Sequence, residues 1–208
     1  MHPNLIFHTE SDARNIAFAR ERGFGILAVN GTQEPMLSHI PFLIDDAGGV
    51  IDLHLVRSNP IARALKAPLP AKIAVSGPDG YISPDWYSVE DQVPTWNYVA
   101  VHLSGLLERR PQDEMRDLLD RQSAYFENQF VPKAPWKTTK MEPDVLDRMM
   151  RQIVPFRMTI AAVEGTWKLS QNKPDNVRLR AADHVEAFCM GSETAILAAL
   201  MRGADGQA

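Results

Sequence analysis

Three polar segments of the chain carry the residue types that bind ligands. A turn needs only residues such as Gly, Pro, Asn, Asp or Ser to reverse the chain direction, yet these segments also hold two tryptophans, three tyrosines and two lysines. So many rings and hydrogen-bonding groups beside turns predict a wall built against a flat, polar ligand. The segments are residues 77–87 (GPDGYISPDWY), 93–98 (VPTWNY) and 168–173 (KLSQNK).

The second segment opens a run with strand-like alternation, residues 96–107. Successive side chains of a strand point to opposite faces, so Trp96 and Tyr98 share one face and Asn97 lies on the other, which we predict to be core. Aromatic planes stack on a tricyclic ring, while Thr95 and Asn97 offer hydrogen bonds to its edge. We therefore expect a flavin at this strand, and the alternative is a set of core aromatics.

The third segment combines two cations, a hydroxyl and two amides within six residues. A turn needs only one or two such groups, whereas their concentration favours recognition of a polar, anionic ligand. Lys168, Gln171 and Asn172 are the candidate contacts. A solvated loop is the alternative interpretation.

A candidate phosphate site follows the predicted strand at residues 50–58. Arg57, Ser58 and Asn59 end this strand, and a helix is predicted after Pro60. A guanidinium, a hydroxyl and an amide beside the free N–H groups of a helix N-terminus favour an anion. The alternative is an N-cap formed by Ser58 or Asn59, next to one surface arginine.

Three histidines on predicted strands raise the question of a metal: His39, His54 and His102. Imidazoles on adjacent strands can bind zinc, but no cysteine or carboxylate recurs at ligand spacing. We therefore predict no metal site, and we expect these histidines in the wall of the sheet or beside the ligand.

Around these residues the sequence predicts short strands joined by turns. The absence of a Gly-x-Gly-x-x-Gly or Gly-x-x-x-x-Gly-Lys loop favours a mainly antiparallel α+β barrel over βαβ units. Peripheral helices, a helical insertion at about 111–153 and a C-terminal helical segment at 176–208 complete the prediction. The predicted strands are 24–30, 36–44, 50–58, 72–76, 96–107 and 156–163, and the predicted helices outside the insertion are 11–22, 61–66 and 192–203.

Single residues predict where these helices begin and end. Thr9 and Asp12 resemble a capping box for the first helix, which Gly23 ends, and Ser192 is the predicted N-cap of the last helix. The only cysteine, Cys189, excludes an internal disulfide and fits a reducing cytosol. We expect it to be a small buried hydrophobe within a helix.

The composition is that of an ordinary globular protein, with 22 Lys and Arg against 26 Asp and Glu and a net charge of −4. This balance does not favour DNA, since DNA binding depends on cations that meet phosphates, and the cations between residues 109 and 151 are interleaved with acids. No stretch approaches the roughly 20 apolar residues that span a bilayer, and the N-terminus lacks a signal-peptide pattern. We expect a cytoplasmic protein.

Taken together and in order, the motifs resemble those of the PaiB family, FMN-binding negative transcriptional regulators with a flavin-reductase-like split-barrel fold. The pairing of GPxxYISPxWY with VPTWNY is specific, and the resemblance covers roughly residues 1–175. It implies a six-stranded FMN-binding split barrel and a homodimer with two FMN sites at the subunit interface. The motifs are residues 38–42 (SHIPF), 54–60 (HLVRSNP), 77–87, 93–98 with 101–102, 153–154 and 164–173 (EGTWKLSQNK).

The resemblance also implies where the cofactor lies. It places the phosphate at residues 57–59 and the isoalloxazine edge along residues 39–42, with residues 171 and 172 supplied by the partner chain. A lysine usual in the family is replaced by Thr166, so Lys168 or Lys173 has to serve instead. The predicted cofactor-binding residues are His39, Ile40, Pro41, Phe42, His54, Arg57, Ser58, Asn59, Trp96, Asn97, Lys168, Gln171 and Asn172.

The function that the resemblance implies is a dimeric FMN-binding repressor. The residues themselves support flavin more than DNA, because the sequence has no helix-turn-helix pattern and no basic arm. The alternative is an FMN-dependent flavin reductase or oxidoreductase that uses NADH or NADPH, with FMN supplying the redox chemistry. A third interpretation is haem bound in the barrel, with His39, His54 or His102 as its axial ligand. No catalytic side chain is predicted.

Overall fold

A computed structural model describes residues 1–204 of the chain. Within this range there are six α-helices and seven β-strands, and none of these helices is long and apolar enough to cross a membrane. The helices are α1 (Asp12–Arg22), α2 (Pro60–Ala64), α3 (Met115–Glu127), α4 (Pro143–Met150), α5 (Asp175–Phe188) and α6 (Thr194–Gly203). The strands are β1 (Phe24–Asn30), β2 (Pro35–Ile44), β3 (Val50–Val56), β4 (Leu69–Ile82), β5 (Thr95–Arg109), β6 (Ile153–Lys168) and β7 (Gly191–Ser192).

The strands form one sheet in the order β1-β2-β3-β6-β5-β4-β7. Strand β1 also pairs with β4, and this pairing closes a ring of six strands. The pairings of β1 with β2 and β4, of β2 with β3 and of β3 with β6 are antiparallel. The prediction of a mainly antiparallel, six-stranded barrel is therefore confirmed, and the two-residue β7 is an addition to it.

Side-chain alternation along β5 follows the predicted faces. Asn97, Val99 and Leu103 are buried, whereas Trp96 and Tyr98 are more exposed. The period of two that the sequence shows therefore gave the correct inward face of this strand.

Contacts between Cα atoms divide the chain into two compact units. Among the described residues, the first unit comprises 1–18, 75–102 and 163–204, and its core includes Ile82, Tyr87, Trp167, Val185 and Leu197. The second unit comprises residues 19–74 and 103–162. Its fully buried side chains include Phe42, Ile51, Leu53, Phe156 and Met158.

Strand β4 is longer than predicted, because two glycines that look like turn signals are close-packing positions. A Cβ atom on Gly77 would lie 2.6 Å from the ring of Phe18, and one on Gly80 would lie 2.9 Å from the side chain of Leu197. Glycine in a strand interior commonly marks such an approach. The strand therefore continues through the first half of the segment at residues 77–87.

Three predicted helix details are wrong. Ser11, rather than a Thr9–Asp12 box, caps α1, since its Oγ accepts a hydrogen bond from Arg14 N at 3.2 Å. Ser192 belongs to β7, and α6 begins after Glu193. Cys189 is exposed and ends α5 in a left-handed conformation with φ of 53°. Because Cys189 follows the last turn of α5, it does not lie on the buried face of that helix and is not a core residue.

The predicted domain boundaries stay a prediction. Residues 176–204 of the predicted C-terminal segment form α5, β7 and α6, while residues 205–208 of that segment lie outside the described range.

Candidate functional site

A polar cleft of about 360 Å³ lies within the first unit. Residues from the N-terminal segment, from the chain leading into β5 and from the loop after β6 form its walls, and we call it the polar cleft. It is lined by His2, Asn4, Phe7, Tyr87, Asp91, Gln92, Val93, Thr95, Asn97, Lys168, Ser170, Asn172 and Lys173.

The loop after β6 is held in shape by Gln171. Its Oε1 accepts a hydrogen bond from Leu169 N at 2.8 Å, and its Nε2 donates to Trp167 O at 2.6 Å and to Ile6 O at 3.3 Å. The amide of Gln171 is thus committed to the loop and the N-terminal segment. Asn172, by contrast, is exposed in the cleft.

A buried hydrogen-bond network forms the floor of the polar cleft. Ser170 Oγ lies 2.9 Å from the Tyr87 hydroxyl and accepts from Asn97 Nδ2 at 2.8 Å. Burial raises the pKa of Tyr87, and the hydrogen bond with Ser170 opposes that rise. Asn97 has no exposed surface, yet its Oδ1 makes no hydrogen bond with any of residues 1–204. An unpartnered acceptor of this kind is costly unless a ligand or water satisfies it.

Two lysine amines enter the polar cleft, and both have neutral partners. Lys168 Nζ donates to Thr95 Oγ1 and lies 5.9 Å from the centre of the Phe7 ring. Lys173 Nζ donates to Gln92 Oε1 and lies 5.3 Å from the centre of the Tyr87 ring. Burial lowers the pKa of Lys168, since a buried ammonium loses hydration.

Trp96 is not part of this cleft, although Asn97 is. Trp96 remains 46% exposed, and its ring lies 6.2 Å from that of Tyr81 in an edge-on contact. Because consecutive residues of a strand face opposite sides, the tryptophan and the asparagine cannot line one pocket through their side chains. The structure therefore brings Asn97 together with Lys168 and Asn172, and it separates Trp96 from them.

The predicted residues of β2 lie in the second unit and differ in exposure. Ile40 and Phe42 are core side chains with 2% and 0% exposure, so they can meet a ligand only through main-chain atoms. Pro41 is half-buried, while His39 is exposed and stacks on Phe24 at 6.4 Å.

Arg57 is exposed at the end of β3, and two hydrogen bonds fix its position. Its Nε donates to Arg151 O and its Nη2 donates to Gln112 Oε1, both at 2.6 Å. Gln112 is itself anchored, because its Nε2 donates to Met150 O at 3.1 Å and Ile153 O at 3.2 Å. Both partners of the guanidinium are neutral oxygens, so the positive charge of Arg57 is not neutralised by them.

The segment after Arg57 was interpreted either as a phosphate site or as a helix N-cap, and its two residues differ in this respect. Asn59 is the N-cap of α2: its Oδ1 accepts from Ile61 N at 2.9 Å, and its Nδ2 donates to Ser38 Oγ at 3.0 Å. The side chain of Asn59 is therefore used by the fold. Ser58 is exposed beside Arg57, and the phosphate roles of these three residues stay predictions.

His54 lies on β3, and its Nδ1 is buried without a partner among the described residues. Burial lowers the pKa of His54, and the side chain of Gln122 opposes that shift. Within residues 1–204, no three His, Cys, Asp or Glu side chains are grouped closely enough to hold a metal ion.

The list of predicted cofactor-binding residues does not contain Tyr87 or Ser170, although both belong to the polar segments and both line the polar cleft. Their hydrogen bond joins residues 83 positions apart, so the sequence did not show that the first and third segments meet. The N-terminal residues of the cleft, His2, Asn4 and Phe7, lie outside the three segments.

Comparison with known proteins gives a family model and curated relatives. The model described as "Putative FMN-binding domain" matches residues 1–162. The chain is 29% identical over 171 residues to "Protease synthase and sporulation protein PAI 2" of Bacillus subtilis (strain 168), with 81% of each chain covered. It is 25% identical over 193 residues to an uncharacterized protein of Emericella nidulans, with 73% of this chain and 77% of the relative covered.

Solved structures share the fold. The FAD and heme binding protein from Mycobacterium smegmatis matches with a TM-score of 0.56 and 17% identity over 78% of this chain and 73% of its own. The flavocytochrome Anf3 from Azotobacter vinelandii matches with a TM-score of 0.53 and 13% identity over 76% of this chain and 68% of its own. At these identities the likeness extends to the fold alone.

Proposed function

Because the chain belongs to the PaiB family of FMN-binding proteins, we propose that it acts as an FMN-binding homodimer that regulates transcription negatively. FMN is the cofactor of this family. The regulatory part of the proposal is supported by the family resemblance of the motifs and by the relative from Bacillus subtilis.

One structural observation supports the cofactor site most directly. Arg57 is held at an exposed strand end by hydrogen bonds to Arg151 O and to Gln112. Both partners of its guanidinium are neutral, and Ser58 is exposed beside it. A guanidinium fixed in this way loses little conformational entropy when it binds a phosphate. We assign the FMN phosphate to Arg57 and Ser58.

The other predicted contacts fit a flavin shared between two subunits. The family resemblance assigns the ring edge to the main chain along residues 39–42, and the exposed amide of Asn172 of the partner subunit completes the contact. When bound, FMN supplies electron and hydride transfer. The chain's own residues bind the phosphate, orient the ring and exclude water from one side of it.

The test begins with the absorption spectrum of the purified protein and a titration of the flavin-free protein with FMN. We expect saturable uptake of about one FMN per chain, together with a dimeric mass by light scattering. Failure to bind FMN would contradict the cofactor assignment. A monomer that binds FMN would contradict only the proposal that two subunits share the site.

Regulation is tested by an electrophoretic mobility shift with DNA from upstream of the protein's own gene. Low salt favours any cation-dependent binding, so the experiment starts there and proceeds to physiological salt. A shift that survives physiological salt supports direct repression. The lack of any shift at low salt would refute direct DNA binding.

A second candidate, an FMN-dependent oxidoreductase using NADH or NADPH, is favoured by the charge pairing of the helical insertion. Two of its arginines are engaged by acids: Arg116 with Asp120 at 2.8 Å and Arg121 with Asp117 at 2.7 Å. Such pairs leave less positive charge for DNA phosphates. Steady oxidation of NADH or NADPH by the FMN-loaded protein would support this candidate, and none with any acceptor would exclude it.

A further inference from the structure

We propose that an apolar cavity in the helical insertion binds a small, uncharged organic molecule that carries a hydrogen-bonding oxygen. The cavity has a volume of about 280 Å³, and residues of α3, α4 and the adjoining ends of β3 and β6 line it. All of its lining residues belong to the second unit. Three of them are methionines, Met141, Met149 and Met150, and we call it the methionine cavity.

The lining of the methionine cavity disfavours a charged ligand. No lysine, arginine, histidine or acid is among the described residues that line it. A charged ligand would lose hydration there without gaining a counter-ion. Leu119 and Leu146 add apolar surface from the two helices, and flexible methionine side chains adapt to ligands of different shape. The lining therefore suits a molecule that is mostly apolar.

Exposed apolar side chains lie at the mouth of the methionine cavity. Val56 is 51% exposed and Met149 is 53% exposed, and both line its concave surface. A ligand that covers these side chains removes apolar surface from water, which is favourable. The volume lies near the lower end for small-molecule sites, so a molecule of one or two rings is the expected occupant.

Three uncharged polar side chains also line the methionine cavity: Ser123, Trp136 and Gln152. None of these side chains forms a hydrogen bond with another of residues 1–204. The indole N–H of Trp136 only donates, whereas the Ser123 hydroxyl and the Gln152 amide can donate or accept. An oxygen of a hydroxyl or carbonyl group can pair with any of the three, which is why the ligand is expected to carry one.

The wall that carries Trp136 is held in place on both sides. Trp136 N donates to the Glu127 carboxylate at 2.8 Å. Two residues later, Thr138 Oγ1 donates to Asp120 at 2.7 Å and accepts from Arg116 at 2.8 Å. These contacts fix the wall before a ligand arrives, and preorganised groups lose less entropy on binding.

The methionine cavity is separate from the assigned FMN contacts. Neither Arg57, Ser58 nor residues 39–42 line it. The two sites are neighbours, since Arg57 N donates to Gln152 O at 2.9 Å. The inference rests on the proposed function only in this separation, because the FMN phosphate is assigned to Arg57 and Ser58.

The experiment follows the methyl signals of the nine methionines by nuclear magnetic resonance, in isotopically labelled protein with and without saturating FMN. The protein is titrated with naphthol, which is uncharged, and separately with naphthoate, which has the same rings and a negative charge. We expect saturable shifts of the Met141, Met149 and Met150 signals at about one naphthol per chain. Naphthoate should bind at least roughly tenfold more weakly, because its charge finds no counter-ion.

Met149→Gln should weaken naphthol binding roughly five- to tenfold, since it replaces apolar contact surface with an amide. Met190→Gln is the matched control, because Met190 is a similarly exposed methionine, at 56%, and lies outside the methionine cavity. It should leave naphthol binding unchanged. Circular dichroism melts of both variants exclude misfolding as the cause of a loss.

Four results would overturn the proposal. Shifts spread over Met190 and other distant methionines would show non-specific binding, and equal affinity for naphthoate would refute an uncharged ligand. Displacement of naphthol by FMN would show that the cavity belongs to the flavin site. Loss of naphthol binding as the protein dimerises would show that a second copy covers the cavity. A protein that binds naphthol but no FMN would instead refute the proposed function and leave the methionine cavity supported.

Discussion

The cations of the second unit and those of the polar cleft are used differently. In the second unit, Asp52 accepts two hydrogen bonds from Arg157, at 2.7 and 3.0 Å, and one from Arg121 at 2.9 Å. In the polar cleft, Lys168 and Lys173 donate to neutral groups. The first arrangement satisfies its charges within the chain, whereas the second leaves positive charge in a partly dehydrated place.

This contrast separates charges that stabilise the fold from charges that are available to a ligand. A buried carboxylate needs its counter-ions, since removing one partner of a buried ion pair is destabilising. An amine with neutral partners contributes little to stability and gains most when an anion arrives. Arg57 lies in the second unit but resembles the lysines of the polar cleft, because its partners are also neutral oxygens.

The largest expected effect comes from breaking the Asp52 cluster. Asp52→Asn should lower the free energy of unfolding by about 2–3 kcal/mol, because Arg121 and Arg157 lose the shared carboxylate in a partly buried place. Urea denaturation measures this loss. Asp117→Asn is the control, since its side chain is 71% exposed and surface pairs contribute about 0.2–1 kcal/mol. Equal losses in both variants would contradict the distinction.

The same cluster gives a pH dependence. Burial would raise the pKa of Asp52, but hydrogen bonds from Arg157 and Arg121 outweigh burial and lower it from 3.8. The stabilisation is therefore complete above about pH 4 and is lost as the pH falls through the lowered value. Asp52→Asn should flatten the acid limb of the stability curve below about pH 4, and an unchanged slope would contradict the assignment.

The next effect concerns FMN affinity. Arg57→Ala should weaken FMN binding roughly ten- to a hundredfold, since a hydrogen bond to a charged group contributes about 1.5–3 kcal/mol. Arg63→Ala is the matched control, because Arg63 is an exposed arginine on the adjacent α2. Fluorescence titration with FMN compares the two. Unchanged affinity in Arg57→Ala would remove this residue from the cofactor site.

A smaller effect is expected for Lys168→Met on the stability of the ligand-free protein. The substitution removes a partly dehydrated charge and one hydrogen bond, so the free energy of unfolding should change by no more than about 1 kcal/mol. Urea denaturation of Lys168→Met and Asp52→Asn in parallel shows whether the two classes of charge differ in their contribution to the free energy of unfolding. A loss as large as that of Asp52→Asn would make Lys168 a structural residue.

Much of the fold was predictable, because it depends on local periodicity. Alternation identified the inward face of β5, and the turns between the first three strands indicated hairpins. The glycines at residues 77 and 80 misled the prediction, since close packing against Phe18 and Leu197 and a turn favour the same residue type. Cys189 was placed wrongly because the end of α5 depends on its cap, which propensity locates poorly.

The candidate site was predictable in composition but not in arrangement. The segment at residues 168–173 had the groups of an anion site, yet Gln171 proved to hold the loop while Ser170 and Lys173 line the cleft. Both residue types suit either role, so only their partners distinguish them.

By itself, the sequence determined the antiparallel barrel class, the FMN-binding family and the segments that carry polar chemistry, because periodicity and motif order are local properties. Tertiary structure alone decided that Asn97 rather than Trp96 lines the cleft that holds Lys168, that Asn59 caps a helix, and that Tyr87 joins Ser170 across 83 positions. Such outcomes depend on which distant element covers each face and satisfies each polar atom, and no local pattern encodes that choice.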